Sequence, residues 1–157
     1  MPVAIRRARP DEAAALTALS FRSKRHWGYD DAFMELARDE MVISAELVAR
    51  WPTFVAERGA ELLGFYVLSV ESKGPMLRDL WIDPPAIRSG VGSLLWKHML
   101  ASAASEGHAT LHITSDPNAA GFYERMGARR VGEVESCGIP GRMLPAFEID
   151  VPRTMDE

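Results

Sequence analysis

Apolar residues recur along this chain at two periods, and each change of period marks a new element. Val3 and Ile5 alternate with Ala4 and Arg6, which predicts a first strand over Pro2 to Arg9. Asp11, after Pro10, is a suitable N-cap for a helix over Ala13 to Arg22, with Leu16 and Leu19 facing inward. A second helix, capped by Asp30 or Asp31, carries Phe33, Met34, Leu36, Ala37 and Met41. Ser44 caps a short third helix, Ala45 to Trp51, which Pro52 closes. The period then falls to two. Thr53 to Glu57 and Glu61 to Val70 flank the turn Arg58-Gly59-Ala60 as a hairpin, and Lys73-Gly74-Pro75 leads into Met76 to Ile82. These three strands make an antiparallel meander.

Helical spacing returns at Val91, Leu94, Leu95, Met99 and Ala103 and ends near Ser105, where Glu106-Gly107 stops the helix. Thr110 to Thr114 reads as a strand, and Ala119 to Met126 as a short helix stopped by Gly127. Arg129 to Ser136 and Met143 to Val151 are the last two strands, and Pro145 predicts that the final one is an edge strand or begins after it. The order predicts an α+β fold: one domain over residues 1–157, with a mixed, mostly antiparallel central sheet flanked by helices.

Composition narrows the classes without choosing among them. A length of 157 residues suits one core. A net charge of −4 argues against broad nucleic-acid binding, which needs an excess of positive charge on a face. No apolar run approaches the ~18 residues of a membrane span. The N-terminus has no apolar signal core, so a cytoplasmic protein is expected. The single cysteine, Cys137, excludes an internal disulfide, and with no basic neighbour in sequence it reads as incidental.

Candidate chemistry begins where the meander ends. Leu80-Trp81-Ile82-Asp83 breaks at Pro84-Pro85, passes Arg88-Ser89-Gly90-Val91-Gly92-Ser93 and becomes the long helix. Glycines there permit positive φ and close approach, and the first helical turn offers unpaired N–H groups at the positive end of the dipole. Such a turn can hold phosphate, although a G-x-G before a helix is also a common tight turn. A second segment, Asn118-Ala119-Ala120-Gly121-Phe122-Tyr123-Glu124-Arg125-Met126-Gly127-Ala128, follows at a distance of one helix and one strand.

Together these segments resemble the two acyl-CoA motifs of the GCN5-related N-acetyltransferases, and the element order is similar as well. Two departures stand out. Ile87 occupies a position where the family often has Gln or Arg, leaving Arg88 as the nearest positive charge, and Ala128 replaces an aromatic residue. The resemblance implies acetyl-CoA as cosubstrate, no metal, and direct attack by an amine in a ternary complex. Gly90, Val91, Gly92 and Ser93, with Arg88 and Ser89 beside them, would cradle the pyrophosphate. Leu80, Trp81 and Ile82 would lie along the acyl arm, with a backbone N–H as oxyanion donor. Asn118 would hold pantetheine or simply cap its helix, and Phe122 joins the cofactor side. Tyr123 would protonate the departing thiolate, or else be a packing residue.

The general base stays open among Asp79, His112, Asp116 and a water chain. His26, Trp27 and Tyr29 cluster between the first two helices and would line an acceptor pocket, with Asp30 or Asp31 attracting its charge; alternatively they fill the junction and cap the next helix. Ile139 to Leu144, with Arg142 exposed, would close the same cleft. The expected acceptor is the primary amine of a small molecule. The alternatives are a protein N-terminus or lysine, or a non-catalytic acyl-CoA sensor. Members of the resembled family are often homodimers.

Overall fold

Strand β3 (Glu61–Glu71) is buried from Leu63 to Ser69 without interruption, so both of its faces are covered, and the molecule is layered about it. The computed structural model describes residues 2–136 and 138–153; Cys137 lies outside them. Phe65 and Val67 pack with Leu16 and Leu19 of α1 (Ala13–Arg25) and Val48 of α3 (Ala45–Arg50). Tyr66 and Leu68 face the other way, against Leu95 and Met99 of α4 (Val91–Ser105). Leu16 and Leu19 are fully buried, each contributing about 2 kcal/mol of apolar burial. Helix α2 (Asp31–Met41) lays Met34, Ala37 and Met41 against Trp81, and α5 (Ala120–Arg125) sits on the α4 side. None of the described helices is long and apolar enough to cross a membrane.

The sheet has seven strands in the order β1-β2-β3-β4-β5-β7-β6. These are β1 (Ala4–Arg7), β2 (Thr53–Arg58), β3, β4 (Gly74–Ile82), β5 (Thr110–Thr114), β6 (Arg129–Glu135) and β7 (Met143–Asp150). Only β4 and β5 run parallel, so the sheet is mixed and mostly antiparallel. The meander β2-β3-β4 follows the period-two pattern. Ser44 caps α3 by accepting from Leu47 N–H, and Asp30, not Asp31, caps α2 by accepting from Phe33 N–H at 2.9 Å.

Two expectations are corrected. Pro145 marks neither an edge nor a strand start: β7 begins at Met143 and lies between β5 and β6, and the edge strands are β6 and β1. The β5–β7 ladder runs from Thr110↔Asp150 to Thr114↔Ala146, so Pro145 sits one residue past its end, and its carbonyl still accepts from Ser115 N–H. Asp11 does not cap α1. Pro10–Glu12 forms a 3₁₀ turn in which the Glu12 carboxylate accepts from Arg9 N–H at 2.9 Å, while Asp11 stays on the surface.

Two features of β4 decide what the sheet can do. Its register against β3 steps from Val67↔Asp79 to Leu68↔Leu77, which makes Arg78 an extra, bulged residue. Its pairing with β5 is confined to Met76↔His112 and Leu77↔Ile113. From Arg78 onward the two strands part.

The N-terminal corner is fixed by charge. Glu12 accepts from Arg6 Nη1 and Nη2 at 3.0 and 2.7 Å, and Arg6 Nε donates to Glu57 at 3.0 Å. The bond from Arg6 is the main reason the Glu12 carboxyl is lowered from its usual 4.5 to about 2. Stability from this group is therefore full above pH 4.5 and lost as pH falls toward 2. Glu12→Gln should cost about 2 kcal/mol at pH 7. Denaturant melts of both proteins should show the gap closing as pH falls through that window.

Candidate active site

The parting of β4 and β5 opens a cleft of about 580 Å³ in the middle of the sheet. Asp83 N–H donates to Leu63 O at 2.9 Å, and antiparallel alternation then directs Trp81 and Asp79 toward β3 as well. The backbone groups of Leu80 and Ile82 therefore face the gap that β5 leaves. The side chains of Leu80 and Ile82 pack on the α4 side, whereas Trp81 packs between α1 and α2 and donates Nε1–H to Asp79 at 3.1 Å.

The glycine turn forms one end of this cleft. A 3₁₀ turn, Pro84–Ala86, is followed by Arg88 at φ +68° and Gly90 at φ +93°, both left-handed. Leu94 is the first residue of α4 to bond back, to Gly90 O at 3.1 Å, so the N–H groups of Val91, Gly92 and Ser93 have no acceptor within the helix. Val91 is buried and anchors the turn; Arg88, Gly90, Gly92 and Ser93 line the cleft. Ser89 does not line it, since its hydroxyl donates to Ala86 O. A Cβ on Gly92 would lie 3.2 Å from the Phe122 ring, so any side chain where the helix starts presses on that ring. The turn thus suits the anion that the sequence suggested. Arg22 of α1 crosses to it and donates to Asp83 at 2.9 Å.

Tyr123 stands across the cleft. Its ring is buried against Trp96, Phe122 and Phe147, with centroid separations of 5.9, 5.5 and 5.9 Å. The hydroxyl bonds to no described residue, yet none of the described buried polar atoms lacks a partner. The phenol oxygen therefore opens into the cleft. Burial, followed by the nearby carboxylates of Asp79 and Asp116, pushes the phenol well above its ordinary value, so it keeps its proton at neutral pH.

The three carboxylate and imidazole candidates separate clearly. Asp79 lines the cleft, bound by Arg78 Nη1 at 2.5 Å and by Trp81; burial pushes its carboxyl up against the pull of both. Asp116 lines the cleft too. Burial would raise it, but the Lys24 ammonium at 2.5 Å and the Asn118 N–H groups hold it below the usual carboxylate range. His112 lies outside the cleft, on the other face of β5 from the core residues Leu111 and Ile113, with Nδ1 3.5 Å from Glu148.

Asp116 is the centre of a hub. Tyr29 OH donates to it at 3.0 Å, Asn118 Nδ2 reaches both it and Tyr29 OH at 3.0 Å, and Arg142 Nη2 donates to Tyr29 OH at 2.8 Å. Asp116, not Asn118, caps the turn at Pro117–Ala119. Arg142 is half-buried instead of exposed, its guanidinium lying over Phe33 at 4.7 Å. Trp27 lines the cleft, Tyr29 belongs to the hub beside it, and His26 sits outside on the surface, edge-on to Trp27 at 5.1 Å. Asp30 is spent on its cap and Asp31 on Arg25.

Sequence reasoning missed Lys24, Ser23, Arg78 and Thr114. A signal existed for the first two: the inward stripe of α1 continues from Leu16 and Leu19 through Ser20, Ser23 and Lys24 at the same spacing, but in polar residues. Nothing in the chain marks Arg78 or Thr114.

A family profile described as an acetyltransferase (GNAT) domain matches residues 31–140. The chain is 32% identical over 149 residues to the peptidyl-lysine N-acetyltransferase YjaB of Salmonella typhimurium, covering 92% of this chain and 97% of that one. A GCN5-related N-acetyltransferase from Rhodopseudomonas palustris superposes with a TM-score of 0.79 at 20% identity, over 96% of each chain. The PaiA N-acetyltransferase of Thermoplasma acidophilum, solved with coenzyme A, superposes with a TM-score of 0.78 at 16% identity, over 96% of this chain and 99% of that one. At these identities the two structures speak for the fold.

If backbone amides hold the anion, Gly92→Val should abolish the thermal shift given by acetyl-CoA, because the valine must displace Phe122. Arg88→Ala removes one exposed charge and should weaken binding by about tenfold at most. Equal losses would overturn this reading.

Proposed function

The chain belongs to the GNAT family of acetyl-CoA-dependent N-acetyltransferases, and from that premise we propose how its own residues carry out the transfer. The observation that carries the reading is the Tyr123 hydroxyl, open to the cleft on an otherwise buried ring. Bound acetyl-CoA supplies an activated acyl carbon. The amine nitrogen forms the new C–N bond as the C–S bond breaks. Tyr123 gives its proton to the departing sulfur, and Asp79 takes the proton that the nitrogen loses. The N–H groups of Leu80 and Ile82, turned into the gap, stabilise the carbonyl oxygen as its charge grows. Gly90 to Ser93 hold the pyrophosphate, and Asn118, beside Asp116, holds the pantetheine arm.

Asp79 is preferred as proton acceptor because Asp116 is already neutralised by Lys24 and His112 is elsewhere. The amine enters on the face that bears Ser23, Trp27 and Thr114. A small basic amine fits that entrance, and so does a lysine side chain, the acceptor named for the Salmonella relative. Free-thiol release across a panel of amines and lysine peptides tests the assignment, and no release with any of them would sink it.

Two variants test the proton path. Tyr123→Phe should lower kcat by about 100-fold at pH 7. The defect should shrink above pH ~8.5, where a thiolate leaves unprotonated. With its carboxyl pushed up, Asp79 is lost as an acceptor when pH falls through its pKa, which gives the wild type an acid limb. In Asp79→Asn kcat should fall and that limb disappear. Its melting temperature should not drop, because burial already disfavours the charged carboxylate.

A further inference from the structure

Asn118 is an exposed residue on the cleft wall, yet side chains from distant parts of the chain converge to hold it. Asp116 Oδ1 accepts its backbone N–H at 2.8 Å and its Nδ2 at 3.0 Å. Tyr29 OH, from the turn between α1 and α2, also accepts from Nδ2 at 3.0 Å. Behind these two stand Lys24 of α1, bonded to Asp116, and Arg142, which donates to Tyr29 OH at 2.8 Å. The Tyr29 hydroxyl is saturated: it accepts from Asn118 and Arg142 and donates to Asp116 at 3.0 Å.

This pattern fixes which end of the amide meets the cleft. Asp116 is ionised beside Lys24 and can only accept, so an amide turned the other way would set its oxygen 3.0 Å from a carboxylate oxygen. The nitrogen therefore faces the hub. Asn118 Oδ1 accepts from no described residue, and none of the described buried polar atoms lacks a partner, so the oxygen is open to the cleft. Pantetheine offers both N–H and C=O groups. With Nδ2 engaged by the hub, the N–H is the group that Asn118 can take. Tyr29 does not itself line the cleft, so its hydroxyl reaches a ligand there only through its partners.

We propose that Tyr29 is a positioning residue for the cosubstrate: its hydroxyl holds the Asn118 amide with the oxygen toward the cleft, where it accepts an N–H of the pantetheine arm. The inference rests on the assignment of Asn118 to pantetheine above and extends it to a residue that the cosubstrate does not touch. Tyr29→Phe isolates the hydroxyl. The ring keeps its stack on Phe33 at 4.0 Å and its contacts with the Lys24 and Arg142 cations, and Asp116 keeps Lys24.

Dissociation constants measured by calorimetry for two ligands decide the matter. One is acetyl-CoA, and the other is the phosphoadenosine diphosphate half of coenzyme A, which lacks pantetheine. In Tyr29→Phe, acetyl-CoA should bind about fivefold more weakly, the scale of one hydrogen bond, while the half-ligand binds as it does to wild type. Asn118→Ala should show the same selectivity, and in that background Tyr29→Phe should cost nothing further. Melting temperatures of the variants check the fold. Equal weakening of both ligands by Tyr29→Phe, an undiminished loss in the Asn118→Ala background, or no loss at all would overturn the inference and leave the Asn118 assignment standing. Unchanged acetyl-CoA binding in Asn118→Ala would overturn both.

Discussion

One extra residue in β4 governs the working face of this molecule. Leu77 packs on the α4 side of the sheet, and regular alternation would send Asp79 and Trp81 to the same side. The bulge at Arg78 reverses the sense, so that Leu80 and Ile82 join the α4 core while Trp81 packs against α1 and α2, with Asp79 bonded to its indole. The same residue bends β4 away from β5 after two pairs. The result is a gap in a sheet otherwise continuous over seven strands, edged by backbone groups of Leu80 and Ile82 that β5 does not satisfy. Buried backbone polar groups require partners. The fold thus creates a demand that an extended, amide-bearing ligand meets.

Much of this was legible from the residues. Period and turn chemistry gave the meander, and the side chains of Ser44 and Asp30 cap as their type suggests. The glycine turn and the Asn118 to Gly127 segment both line one cleft, as the resemblance implied. What stayed hidden has a common cause. A bulge leaves no mark in a hydrophobic pattern, because Arg78 between Leu77 and Asp79 looks like any half-exposed strand residue. Pro145 misled because strand order is not a local property; whether β7 lies inside or at the edge depends on where β5 inserts. The Lys24 stripe was readable only by accepting that a buried helix face can be polar, and the partner of Lys24 is 92 residues away.

That partner shows how the cleft sorts its charges. Asp116 and Asp79 are both buried beside Tyr123, yet burial wins at Asp79 and pairing wins at Asp116. The difference lies in the partners. Lys24 is itself buried and has Asp116 as its only close carboxylate among the described residues, while Arg78 is shared between Asp79 and Glu71. Two carboxylates pushed apart in this way take different roles. Asp116 braces Tyr29 and Asn118, and in the proposed transfer Asp79 is the carboxylate that exchanges a proton.

The two sides of the cleft are stiffened by different means, and the contrast fits their tasks. On the Tyr29 side Gly138 is pressed onto α2. A Cβ on Gly138 would come within 2.7 Å of Leu36 O, so the loop lies against helix backbone, and Arg142 then stacks over Phe33 and binds Tyr29. That wall is closed by the chain's own groups. On the cofactor side the chain withholds them: Gly92 has no side chain, Ser89 turns its hydroxyl to Ala86, and the first N–H groups of α4 bind nothing within the helix. Arg22, reaching from α1 to Asp83, ties the glycine turn to the first helix, and Lys24 ties the same helix to Asp116. In the proposed function the cosubstrate is gripped through backbone beside Gly92, while on the opposite side Gly138 and Arg142 hold the wall in shape around the amine's entrance.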